Sequence, residues 1–314
     1  MIAPLPVAWL VRRAPWPGAE QFWRRARRWT SRHAPEAFHR RYGELCRAAG
    51  ATGLQVVLSF DCDTEKDIAV AGDVNAWLAA RGVPAVYAVP GELLAAGREV
   101  YSAVHRSGAE FLNHGFLTHT RLVDDAYVST LFYDQLDRGA VLRDIELGHA
   151  AVRETLGVAP RGFRVPHFAT FQEPAQLAFL HATLAGLGYA YSTSTMPAFG
   201  FRYGPVRNAG GVLEFPVSGS FNLPLIPLDS YGVRFAPDRP FGAGDYVGQV
   251  RRLATFYLRE GLPAVLGFYV DPSQVYNFPE FFEAVEALRG LGGAVRFSTY
   301  ADLLASPLCA RSAR

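Results

Sequence analysis

Short apolar runs alternate along this chain with longer stretches of helical spacing, a pattern that predicts strands alternating with helices. Leu54–Phe60 is a run rich in β-branched and aromatic residues that ends in acids, as a buried strand would. Asp67–Arg81 then carries Val70, Val74, Trp77 and Leu78 at helical spacing and stops at Gly82-Val83-Pro84. By the same criteria further strands are expected at Ala85–Val89, Ala109–Leu112, Gly162–Val165, Tyr189–Ser192, Val212–Val217, Ala264–Val270 and Ala294–Thr299. Helices are expected at Glu92–His105, Asp134–Leu156, Gln176–Leu187 and Asp245–Glu260, and one more opens at a capping pair, Asn277 with Glu280, and runs to Arg289. Strands and helices in this order favour an α/β fold, a parallel (β/α)7-8 barrel over an open sheet. The stretches Ala198–Gly211 and Asn222–Gly244 read as long loops suited to substrate recognition.

A length of 314 residues, half of them hydrophobic, fills one such barrel or two smaller domains. The net charge of +2 suggests no polyanion partner, but its distribution is uneven: residues 1–50 hold ten Arg against three Glu. The chain therefore divides into a basic, helical N-terminal arm, 1–50, and a barrel body, 51–314. Within the arm, Phe22-Trp23-Arg24-Arg25-Ala26-Arg27-Arg28-Trp29 mixes cations with aromatics. Such a segment either lies on an anionic bilayer surface or packs on the barrel. No basic stripe continues into the body, so nucleic acid is not an expected partner. Cys46, Cys62 and Cys309 form no metal or disulfide pattern. The apolar stretch Ala3–Val11 is too short to span a membrane, and its positive charges, Arg12 and Arg13, follow it instead of leading it as in a secretory signal. A cytoplasmic protein is expected, with peripheral contact at the inner membrane face open through the arm.

In a parallel barrel the chemistry collects at the C-terminal ends of the strands. Those ends read Asp61-Cys62-Asp63, then His114 to His119, then Arg164-Val165-Pro166-His167, then Asp271-Pro272. Residues two apart on a strand face the same side, so Asp61 and Asp63 can share a site. A metal on one of two neighbouring carboxylates relieves their repulsion and leaves the other free as a base. Two histidines flanking a turn, together with Asp63, make a set that can hold one divalent ion with positions left for water. Taken singly, an acidic loop or a His pair is as readily structural, and it is their common placement past strands that favours function. His105, His149 and His181 fall on expected helices, where packing is the simpler role, His33 and His39 belong to the arm, and Cys62 should point away from the two acids.

These motifs resemble the NodB-homology polysaccharide deacetylases, carbohydrate esterase family 4, from about Val56 to Leu304. The resemblance implies a distorted barrel and a metal-dependent hydrolase, an N-deacetylase acting on an N-acetylated sugar or glycan precursor. It implies one divalent ion on Asp63, His114 and His119, with Zn²⁺ preferred over Co²⁺, Ni²⁺ or Mn²⁺. It makes Asp61 the catalytic base, Arg164 the group that steadies it, and a backbone N–H near His167 part of an oxyanion hole. The chain departs from the family in three places. The histidines are spaced His-x4-His, Tyr191-Ser192-Thr193-Ser194 replaces Tyr-Asp-Ser-Ser, and Asp271-Pro272 stands where His-Pro supplies the general acid. The acid is then Asp271 or His167. Other readings are a related enzyme acting on a formamide, ureide or cyclic imide, and a degenerate relative that binds glycan without turnover. With no secretory signal recognised, the expected substrate is a nucleotide- or lipid-linked sugar precursor.

Overall fold

The structure, a computed structural model, describes residues 32–124, 126–236 and 242–312. The aromatic-basic segment Phe22–Trp29 lies outside the described residues. The strands are β1 (Leu54–Asp61), β2 (Ala85–Val89), β3 (Glu110–Asn113), β4 (Thr120–Val123), β5 (Ala126–Ser129), β6 (Gly162–Phe163), β7 (Tyr191–Ser192), β8 (Arg207–Ala209), β9 (Val212–Glu214), β10 (Ala264–Val270) and β11 (Val295–Phe297). One curled sheet runs in the order β10-β1-β2-β3-β6-β7-β9-β8, and β11 joins it beside β1. Its pairs are parallel except β8 with β9. Beyond β9 the chain meets β10 through Ser218 N–H, which donates to Gly267 O at 2.8 Å. The ring thus closes through isolated hydrogen bonds instead of a full ladder, which is the distortion of this α/β barrel.

Among the described residues six longer helices pack outside: α1 (Pro35–Ala49), α2 (Glu65–Ala79), α3 (Arg138–Leu156), α4 (Pro174–Gly186), α5 (Tyr246–Arg259) and α6 (Pro279–Arg289). With helices outside and core side chains inside, every residue of β1 is buried, which explains its largely apolar run. Residues 35–49, grouped in sequence with the arm, belong to the packed body. Phe38, Tyr42 and Cys46 repeat every four residues on one face of α1 and enter the core, and Tyr42 OH donates to Val265 O at 2.7 Å.

Several boundaries differ from expectation, each for a local reason. The helix expected over Glu92–His105 is two helices, Gly91–Ala96 and Arg98–Arg106, broken at Gly97, where a Cβ would come within 2.8 Å of Tyr101. The helix expected from Asp134 begins at Arg138, because Asp137 caps it by accepting from Ala140 N–H at 2.9 Å. Asn277 does not cap α6, which starts at Pro279 with no side-chain cap. The stretch expected as loop after Ala198 holds a helix (Pro197–Tyr203) and β8. The hairpin β4–β5, which directly follows His119, was not expected at all.

Candidate functional site

Asp61 ends β1, and Asp63 follows just before the helix that Thr64 opens. His114 follows β3, and His119 precedes β4. The turn between the histidines is held from α3. Asp144 accepts from Leu117 N–H at 2.9 Å and from Tyr133 OH at 2.6 Å, and Gly115 sits at φ 79° where a Cβ would fall 2.3 Å from that carboxylate. This turn absorbs the extra residue of the His-x4-His spacing, so His119 is not displaced. One ligand atom from each of Asp63, His114 and His119 lies within 4.8 Å of the others. His119 Nε2 is 2.9 Å and His114 Nε2 3.5 Å from Asp63 Oδ1.

Two observations fit a metal to this set. His114 Nδ1–H donates to Arg164 O at 2.8 Å, which leaves Nε2 with its lone pair toward Asp63, and among the described residues that buried nitrogen has no hydrogen-bond partner. His119 Nδ1 is likewise buried and unpartnered. Burial opposes ionisation of Asp63, yet the adjacent His119 and His114 outweigh it and hold the carboxyl well below its usual range. Burial also opposes a charge on His119, and Asp63 reverses this and raises its pKa. Such mutual attraction suits a site built to receive a cation.

Gly148 on α3 backs onto this turn, and a Cβ there would fall 2.5 Å from Gly115 O and 2.3 Å from Asn113 Oδ1. Gly148→Ala is therefore expected to cost about 1–3 kcal/mol of stability, as overpacking does. It should also weaken metal binding by displacing His114. Thermal melts and a metal titration check this, and a variant matching the parent in both would show that the turn yields freely.

Arg164 is completely buried. Its guanidinium pairs with Asp61 through Nη1 and donates from Nη2 to Ser59 Oγ at 2.8 Å. The segment Ser192–Thr195 braces the Arg164 motif from behind, because Ser194 Oγ accepts from Val165 N–H at 3.0 Å. Glu214, fully buried, holds that segment in turn: Oε1 accepts from Ser194 N–H at 2.8 Å and Thr195 N–H at 2.9 Å, and Oε2 meets His181 Nε2 at 3.0 Å. Glu214 had no motif to flag it.

A cleft of about 290 Å³ opens over these groups, and its lining includes Asp61, Asp63, His114, Tyr127, His167, Tyr269 and Asp271. His167 stands at φ 55°, a left-handed conformation rare outside glycine. Its Nε2–H donates to His119 O at 3.0 Å, and burial, helped by His119, pushes its pKa down to about 4. Asp271 is buried beside β10. Burial first, then the charges of Asp63, Asp67, Asp61 and Asp229, raise its pKa well above the ordinary carboxylate value. Asp67, also without a motif, ties this region together by capping Thr64 N–H at 2.9 Å and accepting from Ser273 N–H at 2.8 Å. Cys62 is a buried free thiol whose pKa burial raises, which suits a packing role.

No protein-family model and no curated protein matches the sequence. Solved structures do match the fold. A Mycobacterium smegmatis protein assigned as a polysaccharide deacetylase aligns at a TM-score of 0.59 and 19% identity over 81% of this chain and 89% of its own. A second such protein, from Pseudomonas aeruginosa PAO1, gives 0.59 at 12% identity over 80% and 89%. An allantoinase gives 0.59 at 11% identity over 80% and 88%. The chain has the distorted barrel fold of the polysaccharide deacetylases.

Proposed function

We propose that this chain is a metal-dependent N-deacetylase acting on an N-acylated sugar. The observation that carries the reading is the convergence, at one cleft, of the Asp63–His114–His119 set with the buried Asp61–Arg164 pair. Asp63, His114 and His119 would hold a divalent ion, and Zn²⁺ suits two imidazoles and a carboxylate. When bound, the ion supplies Lewis-acid polarisation of the acyl oxygen and an acidified water. Asp61 accepts the proton of the attacking water, and Arg164 fixes and balances its carboxylate. The backbone N–H at His167 donates to the oxygen that becomes negative. Asp271, buried and with its pKa raised by that burial and by neighbouring carboxylates, delivers a proton to the departing nitrogen. His167 is less suited to that step, because its Nε2 proton is committed to His119 O and its ring is uncharged near neutrality.

Among the described residues the cleft lining contains no Lys or Arg, so a sugar that is neutral beside its amide suits it better than one carrying a phosphate there. Exposed Val123 and Val128 on the β4–β5 hairpin and Tyr231 and Phe235 near its tip would suit a lipid-linked acceptor, which peripheral attachment through the basic arm would also serve. Among the described residues no helix is long and apolar enough to cross a membrane. A second reading, ureide hydrolysis, is favoured by the allantoinase, which matches the fold as well as the two deacetylase-assigned proteins do.

Metal analysis combined with an acyl-release assay tests this on N-acetyl and N-formyl sugars and cyclic ureides. One ion per chain and acetate release that stops on chelation and returns with metal are expected. Ring opening of a ureide without acyl release would move the assignment to the second reading. A bound ion with no turnover of any substrate would leave a glycan-binding relative.

A further inference from the structure

Asp271 is held by a closed ring of hydrogen bonds that no motif announces. Its backbone N–H donates to Ser230 Oγ at 3.0 Å, Ser230 Oγ donates to Gln274 Oε1 at 2.8 Å, and Gln274 Nε2 donates back to Asp271 Oδ2. Ser230 and Gln274 are buried. Gln274 lies three residues after Asp271, in the first turn of the helix Pro272–Val275, where a capping partner would stand. Here its amide addresses the Asp271 carboxyl instead of the backbone. Asp271 N–H can only donate, so Ser230 Oγ accepts from it and spends its own proton on Gln274 Oε1. With Oε1 taken by Ser230, the Gln274 side chain presents its NH₂ to Asp271 Oδ2.

An amide N–H favours the carboxyl oxygen that carries no proton. We propose that Gln274, braced by Ser230, is a positioning residue that makes Oδ2 of Asp271 the acceptor and so turns Oδ1, as the proton-bearing oxygen, toward the cleft that Asp271 lines. The inference rests on Asp271 being the general acid of the reaction proposed above, and it adds which oxygen gives the proton and what orients it. In the step itself, the Oδ1–H bond breaks as the nitrogen–hydrogen bond of the leaving amine forms, and Asp271 is left as a carboxylate. Asp61, Asp63, Asp67 and Asp229 all act on this carboxyl, and His167 and Tyr127 share the cleft with it, so its proton is kept by its surroundings while its orientation comes from the ring.

The test uses the metal-loaded full chain and the variants Gln274→Met, which keeps bulk but has no donor, and Ser230→Ala, which opens the ring. In infrared difference spectra at pH 7, the protonated carboxyl C=O band of Asp271 is identified by its loss in Asp271→Asn. Gln274→Met should shift that band to higher wavenumber, since the oxygen loses its hydrogen bond, and Ser230→Ala should shift it less. With an N-acetyl sugar that the parent turns over, Gln274→Met should lower kcat about 10- to 100-fold with KM within about 2-fold. Its alkaline limb should move to higher pH, because the lost N–H favoured the ionised carboxylate. A role confined to folding would lower the melting temperature and leave the band and the limb in place. An unmoved band in Gln274→Met, or no band lost in Asp271→Asn, overturns the inference whether or not a substrate has been found. A moved band with a parent that releases no acyl group would instead uphold the positioning and sink the deacetylase assignment.

Discussion

Asp61→Asn is expected to lower turnover by about 10²- to 10⁴-fold, the range a general base supplies, while the chain still binds one divalent ion. Asp61 lies farther from the histidines than Asp63 does: its Oδ2 is 4.0 Å from His114 Nε2, against 3.5 Å for Asp63 Oδ1. Its close partner is the completely buried guanidinium of Arg164. Asn keeps an acceptor for that guanidinium but cannot balance its charge. Breaking such a buried pair costs about 3–5 kcal/mol, so the variant should also melt earlier. Asp63→Asn should do the reverse, losing metal affinity with Arg164 still paired. Metal analysis alongside kinetics separates the two. Loss of the ion in Asp61→Asn and its retention in Asp63→Asn would exchange the two roles.

Much of this site was legible in the sequence because strand ends are legible. The runs Leu54–Phe60 and Ala264–Val270 are mostly apolar and buried, and the acid that follows each, Asp61 and Asp271, marks where the strand reaches the barrel mouth. Strand direction then put Asp61 and Asp63 on one side without any knowledge of tertiary contacts. The groups that support these residues were not legible. Glu214, Ser230 and Gln274 act through hydrogen bonds to partners 20, 41 and 3 residues away, and only the last spacing has a local signature, the i, i+3 pattern of a capping box. The β4–β5 hairpin went unread for another reason. Its outer residues Val123 and Val128 are exposed, so the apolar alternation that identifies a strand packed on a core is weak there. In α1, Phe38, Tyr42 and Cys46 recur at regular helical spacing, but the Arg-rich background masks that stripe in the sequence.

Asp271→Asn should remove most of kcat with little change in metal affinity, and its pH dependence should identify the missing group. Burial and four neighbouring carboxylates raise the Asp271 pKa, so the parent holds the proton to higher pH than an ordinary carboxyl does, and its activity falls as pH rises through the raised value. The variant should lack that alkaline limb. Stability carries the same signature with a definite sign. The folded-state pKa exceeds the unfolded carboxylate value, so the native chain binds the proton more tightly than the unfolded chain. It must therefore lose stability as pH climbs from the unfolded value to the folded one. Asp271→Asn has no proton to lose there, and its melting temperature should fall less than the parent's as pH climbs from the ordinary carboxylate range through the raised value. Asp271→His places an imidazole where the deacetylase resemblance puts its acid, and should keep more activity than Asn while moving the limb. His167→Gln supplies the contrast. His167 donates to His119 O, so losing it should weaken metal binding before it touches the alkaline limb. If His167→Gln removes that limb and Asp271→Asn leaves it standing, the proton comes from the imidazole and Asp271 is only a buried neighbour.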